Sequence, residues 1–102
     1  VAVGRAEVDD LGDEAAAAGD WEAALLHYDR AVALLADDGH LLFSRGLIHY
    51  QLGDLDAAAL DMERAIDVAT LQSEIGDYRR QLDAVRKARL AGAGLSATPR
   101  GA

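Results

Sequence analysis

Three histidines, His27, His40 and His49, are the side chains of this 102-residue sequence suited to metal binding or to proton transfer near neutral pH. His40 follows Asp37, Asp38 and Gly39, the one cluster of imidazole and carboxylates close in sequence. Aspartates in a turn commonly cap the next helix, and that is how this cluster reads. His27 and His49 stand alone, with no partner at ligand spacing. Asp54-Leu55-Asp56 lacks the third acidic position, the glycine and the distal glutamate of a calcium loop. Ser44 and Ser73 have no base-bearing motif around them, and no glycine-rich loop could cradle a phosphate. The absence of cysteine removes thiolate metal sites and disulfides. The residues therefore point away from catalysis, and no metal or cofactor is expected.

The elements that would position any site are helical. About half of the residues (51%) are hydrophobic, but many are alanine and only 5% are aromatic. Proline occurs once, at Pro99, and β-branched residues are few, which favours helix over sheet. The length suits one domain. No apolar run approaches the roughly 20 residues that span a bilayer, and neither a signal peptide nor a membrane partner is expected. A cytoplasmic setting is expected.

Charge is unevenly placed. Of the net −8, residues 1–77 carry −13 and residues 78–102 carry +5, the latter from Arg79, Arg80, Arg86, Lys87, Arg89 and Arg100 against Asp83. An acidic body repels phosphate backbones, which weighs against nucleic acid as a partner. The basic end reads as a solvated helix face, or as a surface for an acidic protein.

The strongest signal is internal repetition. Gly19-Asp20-Trp21-Glu22-Ala23-Ala24 returns 34 residues later as Gly53-Asp54-Leu55-Asp56-Ala57-Ala58. Identity at that offset extends to Gly12/Gly46, Leu26/Leu60, Arg30/Arg64 and Ala31/Ala65. Such a period marks stacked helical units. A first helix is expected from Arg5 to Ala18, with Val8, Leu11, Gly12 and Ala15 at helical spacing. Gly19 stops it and Asp20 caps the second helix, Trp21 to about Ala36, with Ala24, Tyr28, Ala31 and Leu35 on one stripe. After the turn at Asp37-Asp38-Gly39, a third helix runs from about His40 to Leu52.

The fourth helix begins at Leu55, with Ala58, Met62, Ala65 and Ile66 inward. Its end is open to two readings. Strict repetition breaks it between Thr70 and Ser73, whereas Gly76-Asp77-Tyr78 repeats the earlier turn signal. The second reading is preferred, giving a fourth helix to about Ile75 and a fifth from Tyr78 to about Ala91. Against it stands the continuous spacing of Leu71, Ile75, Tyr78, Leu82 and Val85, which fits one helix kinked at Gly76. Residues 92–102 read as a flexible tail. Within the pairs, Gly12 is expected to face Ala24 and Gly46 to face Ala58, where two backbones come closest. Trp21 and Leu55 close the turn ends.

An apolar residue before glycine in the first helix, Gly-Asp-Trp at the turn, and spaced alanines with an aromatic in the second together resemble the tetratricopeptide repeat. The resemblance implies an all-α fold of antiparallel helix-pair repeats with about five helices. It divides the chain into a domain over 1–91 and the tail over 92–102. The repeats lie at about 5–38 and 39–72, and a capping helix at about 78–91. The family's usual proline is replaced by Ala36 and Thr70, and Arg45 stands where leucine is usual, with Leu41 and Leu42 as compensation.

By the same resemblance, the first helices line a concave groove for a peptide or partner helix. Here that groove would take Asp9, Asp13 and Ala16 from the first unit and Phe43, Leu47 and Tyr50 from the second. The other reading of Phe43, Leu47 and Tyr50, which share one face, is core against the fifth helix. The family's clamp for C-terminal carboxylates needs lysine and asparagine on this surface, and Asp9 and Asp13 exclude it.

The function implied is a non-enzymatic protein-interaction scaffold whose partner presents apolar anchors and basic residues. The alternatives are an oligomerisation element, in which the acidic body of one copy meets the basic end of another, and a regulatory segment of a larger protein.

Overall fold

The structure is a computed structural model that describes residues 5–97, with side chains from 11 to 92. Five helices follow in order: α1 (Arg5–Ala17), α2 (Trp21–Leu34), α3 (Gly39–Gln51), α4 (Leu55–Val68) and α5 (Gln72–Ala97). No strand occurs among the described residues. α1 and α3 have 13 residues each, and α2 and α4 have 14, so the sequence period is a period of helix pairs. Each helix packs chiefly on its neighbours in the chain.

The two repeated turns are built alike. Gly19 and Gly53 adopt φ of +77° and +83°, a region that only glycine enters freely. The Asp20 and Asp54 amides reach back to the Ala15 and His49 carbonyls at 2.9 Å, while Gly19 and Gly53 donate to Ala16 and Tyr50. This is the Schellman closure of a helix C-terminus. Each aspartate then caps the next helix, accepting from the Ala23 amide at 3.1 Å and the Ala57 amide at 3.2 Å. Asp38 does the same for α3 through Leu41, so a carboxylate of the His40 cluster is a cap, as expected.

The fourth helix does not run to Ile75. α4 stops at Val68, 34 residues after the end of α2, and α5 begins at Gln72 instead of Tyr78. Gly76 lacks the positive φ that turns the chain at Gly19 and Gly53. The reason lies in the seam that α5 lays on α4. Tyr78, Leu82 and Val85 are buried at helical spacing with Ile75 partly covered beside them, and a turn at Gly76 would take Ile75 off that line. Leu71, read as part of the same seam, precedes α5 and is exposed. α5 also continues past residue 91 to Ala97, because Pro99 is the first strong helix breaker. Residues 98–102 of the expected tail lie outside the described residues.

Small residues set the spacing within pairs. A Cβ on Gly46 would stand 3.2 Å from the Ala58 carbonyl oxygen, so the α3 and α4 backbones come close there, as expected. On Gly12 the nearest atoms it would meet are those of the Tyr28 ring, at 2.6 Å. Tyr28 holds the place that Met62 holds in the second pair, and its rigid ring reaches across to α1. Gly12→Ala is accordingly expected to cost about 1 kcal/mol net: overpacking takes about 2, and the better helix propensity of alanine offsets about 1. A thermal melt equal to the parent's would remove this contact from the account.

Leu11, expected on the inward stripe, is 51% exposed. The buried side chains form two adjoining clusters. One gathers Ala24, Tyr28, Ala31, Leu41, Leu42 and Ile48, and the other Ala58, Ala59, Met62, Leu82 and Val85.

Candidate functional site

α1 and α3 stand side by side and leave a hollow of about 270 Å³ between them. Asp13 and Ala16 of α1 form one wall, and Ser44, Leu47 and Gln51 of α3 the other. Trp21 and Tyr28 of α2 also line it. The Tyr28 hydroxyl donates to the Asp13 carboxylate, which fixes that carboxylate at the edge of an otherwise largely apolar recess.

The side chains singled out from the sequence do not all meet there. Asp13, Ala16 and Leu47 do. Asp9 lies on α1, but its side chain falls outside the described residues. Phe43 stacks on Tyr78 of α5 with ring centroids 4.4 Å apart and planes at 27°, so it ties α3 to the last helix. Leu47 both lines the hollow and packs against the second core cluster. Tyr50 is 39% exposed and lies outside the lining. Of the three, Phe43 and Leu47 pack on the core, Leu47 also faces the hollow, and Tyr50 does neither. The residues that sequence reasoning left out, Ser44, Ile48 and Gln51, occupy the neighbouring row of α3. Their spacing of four and three was legible, but a serine and a glutamine gave it no apolar signature.

Electrostatics concentrate on the other side of α3. Arg45 donates through Nε and Nη2 to the two Asp61 oxygens, both at 2.7 Å, and through Nη1 to Asp29 at 3.3 Å. It thus joins α2, α3 and α4. The Asp61 side chain is only 7% exposed, and His49 Nε2 lies 3.7 Å from it. The hydrogen bonds that Arg45 donates to Asp61, together with both carboxylate charges, outweigh burial and raise the guanidinium pKa above its ordinary value. Arg45 therefore does more than replace a leucine, although Leu41 and Leu42 are fully buried beside it. Among the described residues, no three His, Cys, Asp or Glu side chains gather as a metal site.

Two helix pairs of equal length and repeated Gly-Asp turns form one pattern, and a family model described as Tetratricopeptide repeat matches residues 11–89. The chain belongs to the tetratricopeptide repeat family. Repeats of this family generally mediate protein–protein interaction and are typically non-enzymatic scaffolds. Comparisons with curated proteins and with solved structures gave no match. α5 packs on α4, the second helix of the second pair. No helix among the described residues is long and apolar enough to cross a membrane.

Proposed function

We propose that this chain is a protein-interaction module whose groove between α1 and α3 takes a partner segment carrying an apolar anchor beside a lysine or arginine. Residues 5–97 would act as one unit, two repeats closed by α5. The observation that carries the reading is the recess itself, with Ala16, Trp21 and Leu47 in its lining and Asp13 held at its edge. At about 270 Å³ it is smaller than the roughly 300–1,000 Å³ of small-molecule pockets, and suits one or two partner side chains. The acidic body around it would speed the approach of a basic segment, an effect that salt screens. Asp9, Asp13, Leu47 and Tyr50 are the contacts proposed for the partner, while Phe43 would act by holding α5 in place.

Peptides selected from a displayed random library against the full chain test this. They are expected to share an apolar residue next to Lys or Arg and to bind more weakly as salt rises. Gln51→Arg, at an exposed position of the lining, should cost about tenfold in affinity by placing a cation where the partner's cation must come. Phe43→Ala should instead lower stability by about 2 kcal/mol and leave the affinity of the folded fraction unchanged. Selected peptides that bind the Gln51→Arg variant as well as the parent would overturn the groove assignment.

A further inference from the structure

A second and wider cleft, about 610 Å³, opens between α4 and α5 on a different part of the molecule. Leu60, Ile66 and Leu82 are its apolar lining, and Arg64, Arg79 and Asp67 are among its charged groups. Its meaning follows from the repeat. α5 lies on α4 in the register in which α3 lies on α2, since Ile48 and Leu82, both buried, are 34 residues apart. Arg79 is then the counterpart of Arg45, and Glu63 the counterpart of Asp29.

In the first stack, the arginine joins the preceding helix's carboxylate to a second carboxylate, Asp61, brought by the next helix. One repeat later, no such second carboxylate is brought up among the described residues. Glu63 is engaged by Arg86 at 3.2 Å, and Arg79 has no ion pair among the described residues; nor does Arg64 beside it. The apolar side differs at one position: Val32 is 7% exposed, whereas its counterpart Ile66 is only partly covered; Leu60, at 62%, is exposed much as its counterpart Leu26 is at 51%.

We propose that the α4–α5 cleft is a second docking site, for an acidic amphipathic helix of a partner protein that sets a carboxylate on Arg79 and an apolar side chain on Leu60 and Ile66. The guest cannot repeat the packing of α4 on α3. Arg80 stands where α3 has Gly46, so the guest helix remains further out and reaches Arg79 through its side chain. Asp67 at the wall disfavours a second carboxylate and restricts the guest to one placement of its acidic group.

The probe is a capped synthetic peptide of residues 54–69, which is acidic and presents Asp61 among alanine, leucine and isoleucine. It is titrated into the isotope-labelled full chain, with backbone amide shifts as the readout. Shifts are expected at Leu60, Ile66, Arg79 and Leu82, with Ser44 and Gln51 of the α1–α3 groove unmoved. Arg79→Gln, at an exposed position, should melt like the parent and bind about tenfold more weakly, the loss of one charge-assisted contact. The Asp61→Asn peptide should lose the same factor on the parent and nothing further on Arg79→Gln. Shifts confined to the α1–α3 groove, equal binding by Arg79→Gln, or no shift at millimolar peptide would each overturn the proposal. So would a concentration-dependent dimer that Arg79→Gln abolishes, because a second copy would then be the occupant.

Discussion

Removing residues 78–102 is expected to abolish cooperative thermal unfolding. The deletion takes away Tyr78, Leu82 and Val85, which are 5%, 4% and 1% exposed. At roughly 2 kcal/mol for each buried side chain, about 6 kcal/mol of burial is lost, comparable to the whole stability of a small domain. The loss is not confined to the deleted side. Met62, Ala58 and Ala59 belong to the same cluster and would face water, and Phe43 would lose its stacking partner. In stacked repeats each unit depends on the interface with its neighbour, and two pairs have few interfaces to spare. Circular dichroism melts of residues 1–77 beside the full chain are the measurement. A soluble fragment with a sigmoidal transition near the parent's would show that α5 is dispensable to the fold.

Asp61→Ala is expected to destabilise by about 3 kcal/mol, since breaking a buried pair leaves the surviving charge uncompensated. Arg45 would keep Asp29, but that contact is longer and its carboxylate is half exposed. For a chain of this size the change corresponds to a melting point lower by on the order of 15 °C. The more telling variant is Arg45→Leu, which restores the residue usual in the family. Taken alone it should also destabilise, because Asp61 would be buried against leucine with His49 alone at longer range. Combined with Asp61→Ala it should recover most of the loss, since an apolar pair fills the space without an unpaired charge. Additive single-mutant losses in the double mutant would show that the two side chains act independently.

What could be read in the sequence follows from which interactions are local. The Gly19-Asp20 and Gly53-Asp54 turns were legible because glycine's positive φ and an aspartate cap are each decided within about five residues. The same signal misled at Gly76. There the buried line through Tyr78, Leu82 and Val85 outweighs a local preference worth about 1 kcal/mol. Gly12 is legible as a close contact, but the Tyr28 ring as its nearest neighbour is not, because the reach of Tyr28 depends on where α2 lies, not on spacing. The Arg45 network was visible only as a departure, an arginine at a position that wants leucine. Its partners lie 16 residues away in each direction, and no helical periodicity links them. The candidate groove was half legible: Asp13 and Leu47 line it, but Phe43 turns to α5 and the row through Ser44 and Gln51 was passed over.

Each helix leans mainly on the one before it and the one after it, and this has a kinetic side. A chain whose contacts are local in sequence has little loop entropy to overcome, so its topology belongs with the fast-folding, low-contact-order class. Vectorial folding during synthesis is then open to it. Once α2 has emerged from the ribosome, α1 has its partner, and α3 and α4 can add to a template already in place without waiting for the C-terminus. Until α5 emerges, the cluster around Met62 remains uncovered, and an uncovered apolar cluster is open to aggregation.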